Sequence, residues 1–123
     1  MFIFVNMSFN QEGKLNECIN KANCFFVEWD FENINKSFEL LIGISSKLPR
    51  TTVIEKNESY WHGVCRSLIF RFPDDLEILK LPKDGLIQIK SSSRIGASDL
   101  GVNKNRINYL YRQLIKKSND NKN

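Results

Sequence analysis

The chain has 123 residues, of which 41% are hydrophobic and 26% are charged, as in ordinary globular proteins. This length predicts one soluble domain with a single core and excludes a second core. The formal net charge of +4 comes from 18 basic residues dispersed among 14 acidic ones, so a dedicated nucleic-acid surface is not expected.

The chain begins with an apolar stretch, MFIFVNMSF. This stretch lacks the basic flank, the cleavage site and the length that export or membrane insertion requires, and Met7 is an alternative start. Because the cysteines are odd in number and no export signal is found, they are expected to be reduced. The sequence therefore predicts a cytoplasmic protein without a transmembrane segment and leaves peripheral membrane association open. The domain is expected to span residues 14–117, between a flexible segment at 1–13 and a disordered tail at 118–123.

The hydrophobic pattern predicts a helix over residues 33–48, because Ile34, Phe38 and Leu41 recur at helical spacing and Pro49 ends the run. Runs rich in β-branched and aromatic residues follow: TTVIEKN, SYWHGVCRSLIFRF, LEILKLP and GLIQIKSSS. The links between these runs are too short for crossover helices. They therefore predict an antiparallel meander of four strands.

Two further features complete the predicted fold. In the second strand, Phe70 and Phe72 share a face with Val64 and are expected to lie in the core. After the strands, NKNRINYLYRQLIKK has the apolar stripe of a helix, with Asn103 as its cap. The order helix, four strands, helix predicts a two-layer α+β fold with both helices on one face of the sheet.

The stretch SSSRIGASDLGVNKNRI joins the last predicted strand to the last helix. Ser91 and Ser93 are predicted to share one face of the strand with two isoleucines. Asp99 lies just before the helix, where a carboxylate accepts backbone N–H groups or meets an arginine. Since buried charges are normally paired, we expect a structural network of arginine, aspartate and serine side chains. Its candidate members are Arg66, Ser67, Asp74, Asp75, Ser91, Ser93, Arg94, Ser98, Asp99, Asn103 and Arg106.

The alternative use of the same residues is an anion site. Arg66, Arg94 and the amino terminus of the last helix would clamp a small anion or a lipid head group. Asp74, Asp75 and Asp99 count against this site, because a carboxylate already present is the nearer partner for a guanidinium.

The sequence also contains two sets of candidate metal ligands, one of aspartates and one of cysteines and histidine. Asp74 and Asp75 are adjacent and point in opposite directions from a strand, so they reach one ion only if the chain turns there. Zinc would need ligands from Cys18, Cys24, His62 and Cys65, but the last two lie on opposite sides of a predicted strand. Cys18 and Cys24 are six residues apart, which permits a disulfide in an oxidising compartment. In the cytoplasm they are expected to stay reduced.

The sequence offers little for catalysis. It has one histidine and no G-x-S-x-G elbow, P-loop or dinucleotide fingerprint. No catalytic residue, no metal site and no cofactor are predicted. The sequence thus favours a non-catalytic interaction or assembly module with an unidentified protein partner, and a binder of a small anion is the alternative.

Three stretches carry a resemblance to a known family. ECINKANC, RSLIFRFPDDLEI and SSSRIGASDLGVNKNRI, in this order and at these separations, resemble the domain of unknown function 1499 family over residues 17–114. The most specific match runs from Ser91 to Arg106. Ala22 and Pro73 depart from the residues that the family has at these places. The resemblance implies a small α+β domain, often bacterial or plastid, with no established activity.

Overall fold

A computed structural model describes residues 9–120 of the chain. The predicted flexible segment and the predicted disordered tail therefore lie partly outside the described residues. The elements, in chain order, are β1 (Cys24–Asp30), α1 (Ile34–Ser46), β2 (Thr51–Lys56), β3 (Tyr60–Arg66), β4 (Pro73–Leu81), β5 (Leu86–Ser93) and α2 (Val102–Asp120).

The strands form one five-stranded antiparallel sheet in the order β1-β5-β4-β3-β2. The predicted meander corresponds to β2 through β5, whereas β1 is a further strand that sequence reasoning missed. In β1 the side chains alternate, with Phe25, Val27 and Trp29 packed against the main core. On the other face of β1, Phe26 is half-buried and Glu28 and Asp30 are exposed.

Both helices pack on the same face of the sheet, which we call the helix face. Phe38 of α1 and Ile107 of α2 are buried there against Trp61 of β3 and Ile89 of β5. Burial of such side chains is the main favourable contribution to folding. The Trp61 ring covers Gly63 so closely that a methyl group at that position would overlap it.

The opposite face of the sheet, which we call the open face, carries a smaller core. Leu15, Tyr60 and Leu79 are buried there, and Phe9 packs against them. The backbone N–H of Leu15 donates to the side-chain oxygen of Gln88 at 2.8 Å. The segment between Phe9 and Leu15, which pair in a short β-bridge, therefore covers part of the open face.

The predicted strand SYWHGVCRSLIFRF is too long, because β3 ends at Arg66. Two hydrogen bonds close the loop that follows: the Ser67 N–H donates to the Phe72 carbonyl at 3.0 Å, and the Phe72 N–H donates to the Ser67 hydroxyl at 2.9 Å. Arg71 has a φ of 60°, which is incompatible with an extended strand. Phe70 and Phe72 are 73% and 47% exposed, so the prediction that they lie in the core was wrong.

The last helix runs from Val102 to Asp120 and includes the first residues of the predicted tail. Asn103 does not cap it, contrary to the prediction. The Asp99 carboxylate does so, accepting from the backbone N–H groups of Gly101 and Asn103 at 2.8 and 3.1 Å. In the described part of the chain, no helix has both the length and the apolar character needed to cross a membrane.

Candidate functional site

Asp74 and Asp75 of β4 point to opposite faces of the sheet, as the alternation of a strand requires. Asp74 lies on the helix face against Arg106 of α2, whereas Asp75 lies on the open face against Arg94. Most of the candidate residues therefore fall into two clusters, one on each face. Two others, Arg66 and Ser67, lie at the end of β3 and the start of the loop that follows it.

The helix-face cluster is centred on Asn103, which is fully buried. Its amide nitrogen donates to Asp99 at 2.6 Å and to the Ser93 hydroxyl at 3.0 Å, and its amide oxygen accepts from the Ser91 hydroxyl at 2.6 Å. The same nitrogen lies 3.1 Å from the backbone carbonyl of Asn23. One side chain thus joins β5, the start of α2 and the segment before β1.

Arg106 completes the helix-face cluster from the next turn of α2. Its guanidinium donates to the Asp74 carboxylate at 3.0 Å, to the Ser91 hydroxyl at 2.9 Å and to the Asn103 amide oxygen at 3.0 Å. The side chains of Arg106 and Asp74 are only 15% and 12% exposed. Loss of either partner would leave a largely buried charge without compensation.

The open-face cluster joins Asp75 to Arg94 and His62. The Arg94 guanidinium donates to both carboxylate oxygens, at 2.8 and 2.7 Å, and the His62 Nε2 lies 2.7 Å from one of them. Burial raises the pKa of Asp75, but the hydrogen bonds and charges of Arg94 and His62 outweigh it and hold this pKa well below its usual range. From the sequence, His62 was expected to be a partly exposed polar residue in preference to a zinc ligand, and its contact with Asp75 was not predicted.

Asp99 occupies the amino terminus of α2. Burial raises the pKa of Asp99, but the hydrogen bonds from the Asn103 side chain and from the backbone N–H groups of Gly101 and Asn103 have the larger effect. The net result is a pKa below the usual value for an aspartate. In the same turn the Ser98 hydroxyl accepts from the backbone N–H of Leu100 at 3.4 Å. A carboxylate of the chain itself therefore uses the N–H groups that an anion at this helix terminus would need.

Arg66 is the last residue of β3, and Ser67 begins the loop that follows. The Arg66 guanidinium donates to the Arg71 carbonyl at 3.2 Å, and the Arg50 guanidinium donates to the Arg66 carbonyl at 2.9 Å. Among the described residues, no carboxylate forms an ion pair with Arg50, Arg66 or Arg71. The structure therefore does not bring Arg66 to either of the paired aspartates.

The loops of the candidate residues meet at one end of the sheet, where β3 and β5 finish and β1 and β4 begin. We call it the loop end; it consists of residues 17–23, 67–72 and 94–102. The Asn23 amide donates to the Gly96 carbonyl at 2.9 Å, and the Arg94 N–H donates to the Pro73 carbonyl at 3.1 Å. Hydrogen bonds thus connect these segments into one surface.

The loop end exposes a concentration of apolar side chains. Ile69 and Phe70 are 77% and 73% exposed, and the rings of Phe70 and Phe72 stack with centroids 5.4 Å apart. Of the thirteen large apolar side chains that are exposed in the described part of the chain, eight lie here: Ile19, Leu68, Ile69, Phe70, Phe72, Ile95, Leu100 and Val102. Sequence reasoning missed this surface because it assigned the phenylalanines to the core.

Cys18 and Cys24 form a disulfide that closes the loop before β1. The expectation of reduced thiols was therefore wrong for these two, whose Cα atoms lie 5.7 Å apart, and Cys65 is a buried thiol. The disulfide removes both sulfurs from a zinc site. Nowhere in residues 9–120 do three or more metal-ligating side chains lie together.

A cleft of about 640 Å³ lies between the disulfide loop and the start of α2. Its walls carry two lysines, Lys21 and Lys104, and two acids, Glu17 and Asp99. This balance of charge does not favour an anion over a cation. The cleft therefore gives no reason to prefer a small anion as the ligand.

A family model described as protein of unknown function (DUF1499) matches residues 14–114. No curated protein matches the chain. The matched region holds all five strands, α1, both charged clusters, the loop end and most of α2. A match over most of the chain, joined to the three characteristic stretches of sequence, shows that the chain belongs to the DUF1499 family.

Proposed function

We propose that the protein is a non-catalytic interaction module that binds another macromolecule through its loop end. The observation that carries this proposal is the concentration of exposed apolar side chains there. Contiguous apolar surface exposed to water is unfavourable and commonly marks an interaction site. None of these side chains belongs to the two cores, which lie on the faces of the sheet.

The two charged clusters support this role as the framework of the loop end. Asn103 links Asn23, just before β1, to Ser93 at the end of β5, and Arg94, just after β5, pairs with Asp75 of β4. A hydrogen-bonded framework of this kind reduces the loss of conformational entropy when a partner binds. The clusters therefore position the binding surface, and the apolar loops provide the contact.

The alternative, a clamp for a small anion formed by Arg66, Arg94 and the start of α2, has less support. Arg94 already gives two hydrogen bonds to Asp75, and Asp99 already caps the helix. An anion would have to displace two carboxylates that belong to the chain. Of the proposed clamp, only the Arg66 guanidinium is not paired with an acid among residues 9–120.

The disulfide bears on where this module works. A bridge between Cys18 and Cys24 persists in an oxidising compartment and is reduced in most cytoplasms. We therefore propose an oxidising compartment in place of the cytoplasm. Alkylation of reduced thiols in the protein as produced by its own cells would test this; protection of Cys18 and Cys24 is the expected result, and quantitative labelling of both would contradict it.

Site-specific photo-crosslinking tests the proposed function. A crosslinking residue replaces Phe70 in the full chain, in cells that naturally contain it, and a matched variant carries it at Ile54, which is 56% exposed in β2. We expect Phe70 to give adducts with a protein or a lipid, and Ile54 to give few. Equal yields at the two positions, or no adduct at Phe70, would refute a binding role for the loop end.

A further inference from the structure

We propose that the loop end binds an anionic lipid bilayer, with the tip of the loop after β3 inserted among the lipids. This inference rests on the proposed function and names its partner. The tip consists of Leu68, Ile69 and Phe70. Arg66 and Arg71 flank the tip in the chain, and Arg50, which precedes β2, is hydrogen-bonded to Arg66 beside them. We call the first three residues the apolar tip and the other three the arginine base.

The apolar tip has the form of a membrane-inserting loop. Leu68, Ile69 and Phe70 are consecutive, and each is between 69% and 77% exposed. The paired hydrogen bonds between Ser67 and Phe72 satisfy the backbone at the neck of the loop. Side chains of this kind gain free energy on entering the boundary between lipid head groups and acyl chains.

The arginine base identifies the partner as anionic. Hydrogen bonds between Arg50, Arg66 and Arg71 hold the three arginines at the neck of the loop. The aspartates at the start of β4 pair with Arg106 and Arg94, so the described structure provides no internal carboxylate for the arginine base. Guanidinium groups bind phosphate oxygens through two parallel hydrogen bonds, and each basic residue near an anionic bilayer strengthens binding.

Charge complementarity decides between a bilayer and an uncharged apolar partner. A purely apolar protein surface that covered the tip would also desolvate the arginine base without neutralising it, which is unfavourable. An anionic bilayer offers apolar chains and phosphates at successive depths, in the same order as the tip and the base. Arginine stems also tolerate this boundary, because they lie along apolar matter while their charge stays in the head groups.

Neighbouring loops extend the same surface. Ile19 in the disulfide loop is fully exposed, and Leu100 before α2 is 91% exposed. Leu100 also holds a positive φ of 55°, which is unusual for a leucine. Both residues lie at the same end of the sheet as the apolar tip.

Co-sedimentation with lipid vesicles tests the inference. The full chain, its disulfide intact, is mixed with vesicles of phosphatidylcholine and phosphatidylglycerol, and separately with vesicles of phosphatidylcholine alone. We expect binding to the mixed vesicles that weakens with salt, and much weaker binding to the neutral ones. No binding of the wild type to the mixed vesicles, or equal binding to both kinds, would overturn the inference.

Two variants and two controls locate the contact. Ile69→Ser/Phe70→Ser is expected to weaken binding on the order of thirtyfold by removing apolar burial. Arg71→Glu, which reverses a charge, should weaken it by about tenfold. The controls are Ile54→Ser in β2 and Lys83→Glu at the opposite end of the sheet; both should bind as the wild type does. Tip variants that bind normally, with unchanged circular dichroism, would contradict insertion.

Failure of the lipid partner can be distinguished from failure of the proposed function. If the wild type does not bind anionic vesicles while Phe70 crosslinks to a protein, binding to a bilayer is refuted and the role as an interaction module is supported. If the wild type does not bind the vesicles and Phe70 gives no adduct, both proposals are refuted. A lipid adduct at Phe70, with co-sedimentation lost in the tip variant, would support both.

Discussion

The two aspartates of β4 are neighbours in the chain, but the structure places them in different environments. Asp74 is held beneath α2 by Arg106, where both side chains are largely buried and share a network with Ser91 and Asn103. Asp75 lies on the opposite face, where its partner Arg94 is 46% exposed. We therefore expect these two ion pairs to contribute very differently to stability, because the cost of an unpaired charge depends on burial.

The buried pair gives the largest expected effect. Arg106→Ala should lower the free energy of unfolding by about 3 kcal/mol, since it leaves the Asp74 carboxylate buried without its cation. Urea denaturation measures this loss. The matched control is Arg112→Ala, an exposed arginine in the same helix, which should change stability by less than about 0.5 kcal/mol. An equal loss of stability from both substitutions would contradict a special role for the buried pair of Arg106 and Asp74.

The disulfide loop is connected to the buried network, because the Asn103 amide donates to the carbonyl of Asn23 within this loop. Replacing both cysteines, Cys18→Ser/Cys24→Ser, should lower the free energy of unfolding by about 2 kcal/mol, the value for a short closed loop. A reductant should destabilise the wild type by a similar amount and leave the variant unaffected. An identical response of the two proteins to the reductant would show that the bridge does not stabilise the fold.

The exposed pair should matter less. Arg94→Ala is expected to cost about 1 kcal/mol, since water screens the charge that remains on Asp75. The matched control is Arg71→Ala, whose guanidinium has no ion pair in the described structure. A loss for Arg94→Ala as large as that for Arg106→Ala would mean that exposure does not separate the two clusters.

Acid should weaken the open-face cluster in a specific direction. The folded-state pKa of Asp75 lies below its usual value, so its stabilising contribution is complete above about pH 4 and is lost as the pH falls toward the lowered folded value. Thermal denaturation from neutral to acidic pH should therefore show the stability of the wild type falling toward that of Asp75→Asn. A difference between the two proteins that stays constant over this range would contradict the pairing of Asp75.

Part of this site followed from strand periodicity. The alternation of β5 placed Ser91 and Ser93 on one face, and adjacency in β4 placed Asp74 and Asp75 on opposite faces. The sequence did not predict which arginine pairs with which aspartate, because Arg106 reaches Asp74 only after α2 has packed on the sheet. Such pairings depend on tertiary contacts and leave no local signal.

The two errors in the predicted strands also arise from features that local sequence patterns do not show. The run SLIFRF has the composition of a strand, and only Arg71 with its positive φ and the hydrogen bonds of Ser67 turn the run into a loop. β1 was missed because it pairs with β5, which is distant in the chain, so that no hairpin joins it to its neighbour. The sequence also predicted the helices closely, since their apolar stripes and the stop at Pro49 are local features.

We assign stability and binding at this end of the sheet to different side chains. Urea denaturation of Ile69→Ser/Phe70→Ser beside the wild type, which gives the free energy of unfolding of each protein, is the decisive experiment. We expect a change within about 0.5 kcal/mol, because the two side chains are already exposed to water. A loss of about 2 kcal/mol or more, as for the buried network, would show that these residues stabilise the fold and would contradict the account.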